Sequence, residues 1–282
     1  MDTRRIVVAA VTTGLLLASC AEEQATSPGS SGDGQQQSCA TNDLPLFEPG
    51  TLTVATDDPA FPPWFKGPRR DYNGGYEGDL AAEVADRLGL PLEWVTEPFN
   101  KSYAPGQKDY DFDINQISIT PERDQVVDFS DGYFNNNQGI LALEGTPITD
   151  ATTVEDLKGY QLGTQVGTTS LNFINTVIQP EAGAKTFDTT NDAKSALDAG
   201  QIDALVTDLV TTVYLRDFEI KGSVVVGQYP TDEQFGMLFE QGNPLGECVN
   251  KALSEIKGDG TLKKLQDKWL QDYLSVPTVT DS

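Results

Sequence analysis

The chain has 282 residues, of which 43 are acidic and 19 basic, with no histidine, three cysteines and a formal charge of −24. A surface this negative repels nucleic acid phosphates, and the lack of histidine removes the commonest general base and the commonest metal ligand near neutral pH. Nucleic acid binding, histidine catalysis and a metal centre are poor readings, and neither a metal nor another cofactor is expected.

Residues 1–19 read as a secretory signal peptide: MDTRR, an apolar run from Ile6 to Leu17, and small residues before Cys20. The run is too short to span a membrane permanently. Leu17-Ala18-Ser19-Cys20 resembles the lipobox of bacterial lipoproteins, which implies that Cys20 carries lipid and tethers a soluble domain to the outer face of a membrane. Residues 20–41 then form the lipidated cysteine and a flexible linker, since residues 21–38 hold no aliphatic side chain larger than alanine. The remaining stretch, about 240 residues, is long for one domain and suggests two lobes. No later segment reaches transmembrane length. In an exported protein Cys39 and Cys248 read as a disulfide pinning the domain's start to a late helix, with two unpaired thiols as the other reading.

Leu52–Ala55 is the first expected strand. Leu80, Val84 and Leu88 recur at helical spacing behind Asp79 as N-cap, with Gly89 as the stop. Leu92–Val95 and Ile114–Ile119 are further strands, and Thr120-Pro121-Glu122-Arg123 opens a helical turn. This β-α-β-loop-β order suggests a parallel sheet flanked by helices. From Gly139 the pattern restarts, with strands at 161–166, 185–187 and 204–207 and helices at 171–178, 192–199 and 209–215. Phe235–Phe239 returns to the first lobe. Two amphipathic helices come next, marked by Val249, Leu253 and Ile256 and by Leu262, Leu265 and Trp269, and divided by Gly258-Asp259-Gly260. The expected lobes are 42–138 with 233–276, and 139–232, joined by two crossings that make a hinge; 277–282 is a C-terminal tail.

In open α/β sheets ligands bind beyond the carboxyl ends of strands, and three such junctions carry polar groups. Gly167-Thr168-Thr169 offers free N–H groups to an anion, or simply caps the next helix. Arg123 offers a planar fork to a carboxylate, or pairs with Asp124 or Asp128. Asp208 offers a carboxylate, or caps the helix after it. Together they suit a zwitterion, with an α-carboxylate at Arg123 and Thr168/Thr169 and an α-ammonium at Asp208.

ISITPER, VGTTS and AGQIDALVTD, preceded by GYEGDLAAEVADRLG, resemble the signatures of the extracellular solute-binding proteins of polar amino acid ABC transporters, family 3. The likeness runs from about Leu52 to Leu274. It implies a type II periplasmic-binding-protein fold, two α/β lobes with the ligand cleft between them, and a non-enzymatic protein that hands an amino acid to an ABC permease. It implies further that Arg123 binds the α-carboxylate with help from Ser118, Thr168 and Thr169, and that Asp208 and the backbone carbonyl of Gln116 take the ammonium. TDDPAFPPW stands where the family's ligand side-chain wall begins, so Asp58, Phe61 and Trp64 are candidates there, core packing being the other reading for both rings. Gln165 and Thr207 either face the ligand or end their strands.

Two features depart from the family pattern. Gln116 is large where Gly, Ala or Ser is usual, and YAPGQKDYDFDIN has no counterpart. A rival reading is a prephenate- or arogenate-type dehydratase on the same fold, with Asp58 or Glu77 as acid or base, although Glu77 reads more simply as a solvated residue ahead of Asp79. Another is a ligand-binding sensor subunit acting through a membrane partner, and a monomer is expected.

Overall fold

The computed structural model describes residues 38–68 and 70–281, so the signal peptide, Cys20 and most of the linker lie outside the described residues. Two five-stranded sheets organise them. The first has the order β2-β1-β3-β10-β4, built from β1 (Leu52–Thr56), β2 (Leu92–Thr96), β3 (Phe112–Asp113), β4 (Val127–Phe129) and β10 (Leu238–Glu240). β1 lies parallel to β2 and β3, and β10 runs against β3 and β4. Every residue of β1 is buried, as its apolar run LTVA requires of a strand covered on both faces. Its cover includes helix α1 (Tyr76–Leu88) and, after the short helices α2 (Phe99–Ser102), α3 (Val154–Leu157), α4 (Thr169–Phe173), α5 (Thr190–Asp198) and α6 (Leu209–Tyr214), helices α7 (Leu245–Gly258) and α8 (Thr261–Trp269); Leu80, Val84, Val249, Leu253, Ile256 and Leu265 of α1, α7 and α8 meet in one core.

The second sheet has the order β7-β6-β8-β5-β9, from β5 (Phe134–Leu143), β6 (Leu162–Gln165), β7 (Lys185–Phe187), β8 (Ala204–Asp208) and β9 (Ser223–Phe235). Its side chains alternate between two cores: Ile140 and Val206 face Phe173 and Ile174, while Leu141 and Leu205 face Leu197 and Val213. Two sheets with two sets of cores are the two α/β lobes of the type II fold. β5 and β9 pair from Phe134↔Phe235 to Leu143↔Ser223, and this antiparallel ribbon carries the chain from the first lobe's core, which holds Phe134 and Phe235, into the second. The segment after Leu274 lies along the second sheet: Val279 N–H donates to Gln228 O and Thr280 N–H to Thr152 O, with Val279 buried.

Some local expectations are corrected. Helix α1 starts at Tyr76, not behind Asp79, with Gly75 as its N-cap at φ 92°. The carbonyls of Pro63 and Trp64 accept from Tyr76 and Glu77 N–H and so replace a side-chain cap. A Cβ on Gly75 would stand 2.3 Å from Trp64 O. Asp79 instead accepts from Trp269 Nε1 at 2.7 Å and Lys268 Nζ at 2.8 Å, tying α1 to α8. Residues 114–119 form no continuous strand, because Gln116 takes a left-handed φ of 49° that ends the extended run. Cys39 and Cys248 are joined in a disulfide, anchoring the domain's start to α7. Among the described residues no helix is long and apolar enough to cross a membrane.

Candidate functional site

A cavity opens between the sheets, lined from the first lobe by Asp57, Asp58, Phe61, Phe99, Asn115, Gln116 and Ser118, and from the second by Gln165, Thr168, Thr169, Thr207, Asp208 and Thr211. The second-lobe groups arrive at the ends of β6 and β8, as the strand-end rule requires. Helix α4 (Thr169–Phe173) begins here, and its N-cap is Thr168, whose hydroxyl accepts from Leu171 N–H and donates to Gln165 O at 2.8 Å. Asp208 precedes α6 (Leu209–Tyr214) without making a side-chain cap bond. Its carboxylate accepts from Asn136 Nδ2 at 3.1 Å. Half-buried by area because it faces the cavity, Asp208 still lies deep enough for burial, and then the neighbouring Glu233, to hold its carboxyl well above the usual range.

Of the expected site residues, Asp58, Phe61, Gln116, Ser118, Gln165, Thr168, Thr169 and Asp208 come together here. Trp64 does not. It is fully buried, edge-on to Tyr76, Phe134 and Phe235, and its Nε1 donates to Thr211 Oγ1 at 3.2 Å, because a ring this large and apolar gains more from the core than from the cavity. The Gln116 side chain is turned to Glu77, whose carboxylate accepts from its Nε2 and from its backbone N–H.

Arg123 also differs from expectation. Its guanidinium borders a second cavity shared with Tyr103, Glu122 and Asn172. Nη1 donates to Ser118 O at 2.8 Å and Nη2 to Gly167 O at 3.0 Å, so one side chain ties the first lobe to the second. The rings of Tyr103 and Phe99 lie 4.8 and 5.6 Å from it. The approach of the lobes at this point needs glycine, as a Cβ on Gly167 would come within 2.1 Å of Tyr103 Oη.

Sequence reasoning missed three features of the site. Asn115 is 7% exposed, and its Nδ2 has no hydrogen-bond partner among the described residues. Glu233, on the ribbon strand β9, bonds two lining residues from behind: its Oε1 accepts from the hydroxyls of Ser118 and Thr169, its Oε2 from Gln138 Nε2 at 2.8 Å and Asn136 Nδ2 at 3.2 Å. Glu77 is not solvated but wholly buried, accepting from Tyr133 Oη and twice from Gln116. The signal for Glu77 lay in its spacing, one residue after Tyr76 and one turn before Leu80 on the helix face that packs inward.

Burial raises Glu77 to about 7 and Asp113, bonded to Ser102 Oγ, to about 8. Both carboxyls hold their protons more tightly folded than unfolded. The stability these two carboxyls contribute is therefore full below about pH 4 and is lost as the pH rises through 7 and 8, at most about 1.4 kcal/mol for each tenfold gain in proton affinity on folding. A melting temperature several degrees higher at pH 5.5 than at pH 8.5 is expected, and Glu77→Gln should flatten the slope. Scanning calorimetry across that range checks both.

Residues 52–272 match the family model of bacterial extracellular solute-binding proteins, family 3. The ABC transporter glutamine-binding protein GlnH of Bacillus subtilis (strain 168) is 31% identical over 271 residues, 92% of this chain and 93% of its own. An ancestral arginine-binding protein solved bound to glutamine is 35% identical with a TM-score of 0.70, over 79% of this chain and 99% of that one. AncCDT-1, an ancestral amino acid-binding protein described as a precursor of cyclohexadienyl dehydratase, is 33% identical with a TM-score of 0.67, over 78% and 95%. With most of its length inside the family model and two sheets closing on one polar cavity, the chain belongs to the bacterial extracellular solute-binding proteins, family 3.

Proposed function

We propose that this protein captures a polar amino acid outside the cytoplasm and delivers it to an ABC importer. The reading rests on one observation above the rest: a cavity lined from both lobes, with hydroxyls and Asp208 at strand ends, whose closure a ligand would favour. Asp57, Asp58 and Asp208 line it and, among the described residues, no lysine or arginine does, which favours a neutral or cationic amino acid over an acidic one. GlnH and the ancestral arginine-binding protein, which the chain resembles, are named for such ligands. The Asp208 carboxylate and the Gln116 carbonyl receive the ammonium. Arg123 acts chiefly as the latch that its bonds to Ser118 O and Gly167 O describe. Cys20 lipidation would keep the monomer at the membrane near its permease.

Calorimetry against the standard amino acids tests the reading, with micromolar binding of at least one expected. Arg123→Ala should weaken it about 10- to 100-fold, about 1.4–2.7 kcal/mol, because two charge-assisted bonds between the lobes are lost only from the closed form and water takes over the freed carbonyls in part. A panel with no binder overturns the reading. The same preparation incubated with prephenate or arogenate is expected to give no product, and turnover there would favour the dehydratase alternative. Mass spectrometry of the mature N-terminus tests for the lipid on Cys20, and light scattering for the monomer.

A further inference from the structure

Ile114 N–H donates to Ala55 O and Ile117 O accepts from Gly236 N–H, each at 3.0 Å. Between these two fastenings lie Asn115 and Gln116, and both line the cavity. Gln116 sits at φ 49°, a left-handed conformation that a residue with a Cβ keeps only where its surroundings impose it. The imposing group stands behind it. Glu77, on the first turn of α1 and wholly buried, accepts from the Gln116 backbone N–H at 2.8 Å with Oε1 and from the Gln116 side-chain Nε2 with Oε2. One carboxylate thus grips both the backbone and the side chain of the strained residue. Glu77 is itself held: Tyr133 Oη donates to its Oε1, Tyr76 Oη donates to Tyr133 O at 2.8 Å, and Tyr133 N–H donates to Phe235 O at 2.9 Å, at the root of the β5–β9 ribbon. Glu77 borders neither of the two cavities described above.

We propose that Glu77 is a positioning residue for ligand binding: its carboxylate clamps Gln116 in the left-handed conformation and so holds the Gln116 carbonyl where the ammonium of the ligand docks. The inference rests on the proposed function, in which that carbonyl and Asp208 share the ammonium, and adds what keeps the carbonyl in place. Without the clamp, Gln116 relaxes toward a negative φ in the ligand-free protein, and the apparent affinity falls with the fraction of molecules still ready to bind. The clamp needs reach, because one side chain must span the N–H and the Nε2 of Gln116 together. A buried acid that drew the ammonium through space would need only its charge. These two requirements are separable by substitution.

The test is calorimetry on the whole mature protein with the standard amino acid that wild type binds most tightly, at about pH 8, above the value of about 7 to which burial raises Glu77. Glu77→Gln keeps the reach without the charge, since its carbonyl accepts from Gln116 N–H and its NH₂ meets the Gln116 amide turned over. Glu77→Asp keeps the charge and is one CH₂ too short. Glu77→Gln is expected to bind within about threefold of wild type and Glu77→Asp about tenfold more weakly. In a Gln116→Gly background, where a positive φ carries no penalty, the same Glu77→Asp change should cost less than about threefold. Each variant is checked for a cooperative melt. Where Glu77→Asp gives none, Gln116→Ala replaces it: this variant keeps the strained φ without the side-chain bond and should bind about fivefold more weakly than Gln116→Gly, and equal binding overturns the inference. Glu77→Asp within about threefold of wild type, Glu77→Gln weaker than Glu77→Asp, or a loss that Gln116→Gly leaves unchanged also overturns it, while amino acid capture stands. If no amino acid binds, the proposed function falls, and hydrogen exchange at the Gln116 amide of the ligand-free protein decides the clamp. Exchange at least about tenfold faster in Glu77→Asp than in wild type and Glu77→Gln upholds it, and equal exchange overturns it.

Discussion

Asp208→Asn is expected to weaken ligand binding by about 100-fold while raising the melting temperature of the ligand-free protein. The carboxylate stands at the end of β8, on the cavity, with Asn136 as its amide partner and Glu233 as a like-charged neighbour. In the free protein these two acids repel, and burial penalises the charge on Asp208. An asparagine removes that cost while keeping one acceptor for Asn136 Nδ2. In the complex the balance reverses. A ligand ammonium closed into the cleft without its counter-charge loses a charge-assisted bond of about 1.5–3 kcal/mol and gains a desolvation penalty, and a loss of about 2.7 kcal/mol is about 100-fold. Asn at this position should thus raise stability and lower affinity together, as expected where binding requires a strained charge. Calorimetric titration and a thermal melt on one preparation measure both. Unchanged affinity would remove Asp208 from the site.

The second large effect is on stability alone. The Cys39–Cys248 bond closes a loop of sequence separation 209 and fixes the start of the domain to α7, whose Val249, Leu253 and Ile256 lie in the first core. Loops of this length lose about 5 kcal/mol of unfolded-state entropy in the chain model, with about 2–4 typical of measured disulfides. The double substitution Cys39→Ser, Cys248→Ser is expected to lower the melting temperature by roughly 8–15 °C at about 2–4 °C per kcal/mol. Neither cysteine lines the cavity, so the dissociation constant should stay within about twofold. A melt unchanged by the substitution, or by reductant, would show that the core alone holds α7.

Strands 52–55, 92–95 and 204–207 and the helices carrying Val249 and Leu265 are legible in the sequence because alternation and 3.6-residue spacing are local properties of the chain, repeated wherever one face is buried. The same holds for Thr168 and Asp208, since a strand end followed by a helix start marks itself with small hydroxyls and an acid. The structure revises what depends on neighbours distant in sequence. Asp79 has the sequence context of a cap, but the carbonyls of Pro63 and Trp64 already satisfy the first turn of α1. Trp64 stands where a wall of the cavity is expected, yet Tyr76, Phe134 and Phe235 enclose it.

By itself, then, the sequence determined many of the strands and helices, that the chain leaves one lobe and returns, and that hydroxyls and an acid stand at strand ends facing a cleft. Only the tertiary structure decided the charge balance within that cleft: Arg123 bonded to carbonyls of both lobes, Glu77 buried behind Gln116, and Glu233 set against the hydroxyls of Ser118 and Thr169. Periodicity records which way a side chain points from its own backbone. What it meets there, and so whether a hydroxyl's proton or its lone pair faces the ligand, depends on residues far away along the chain.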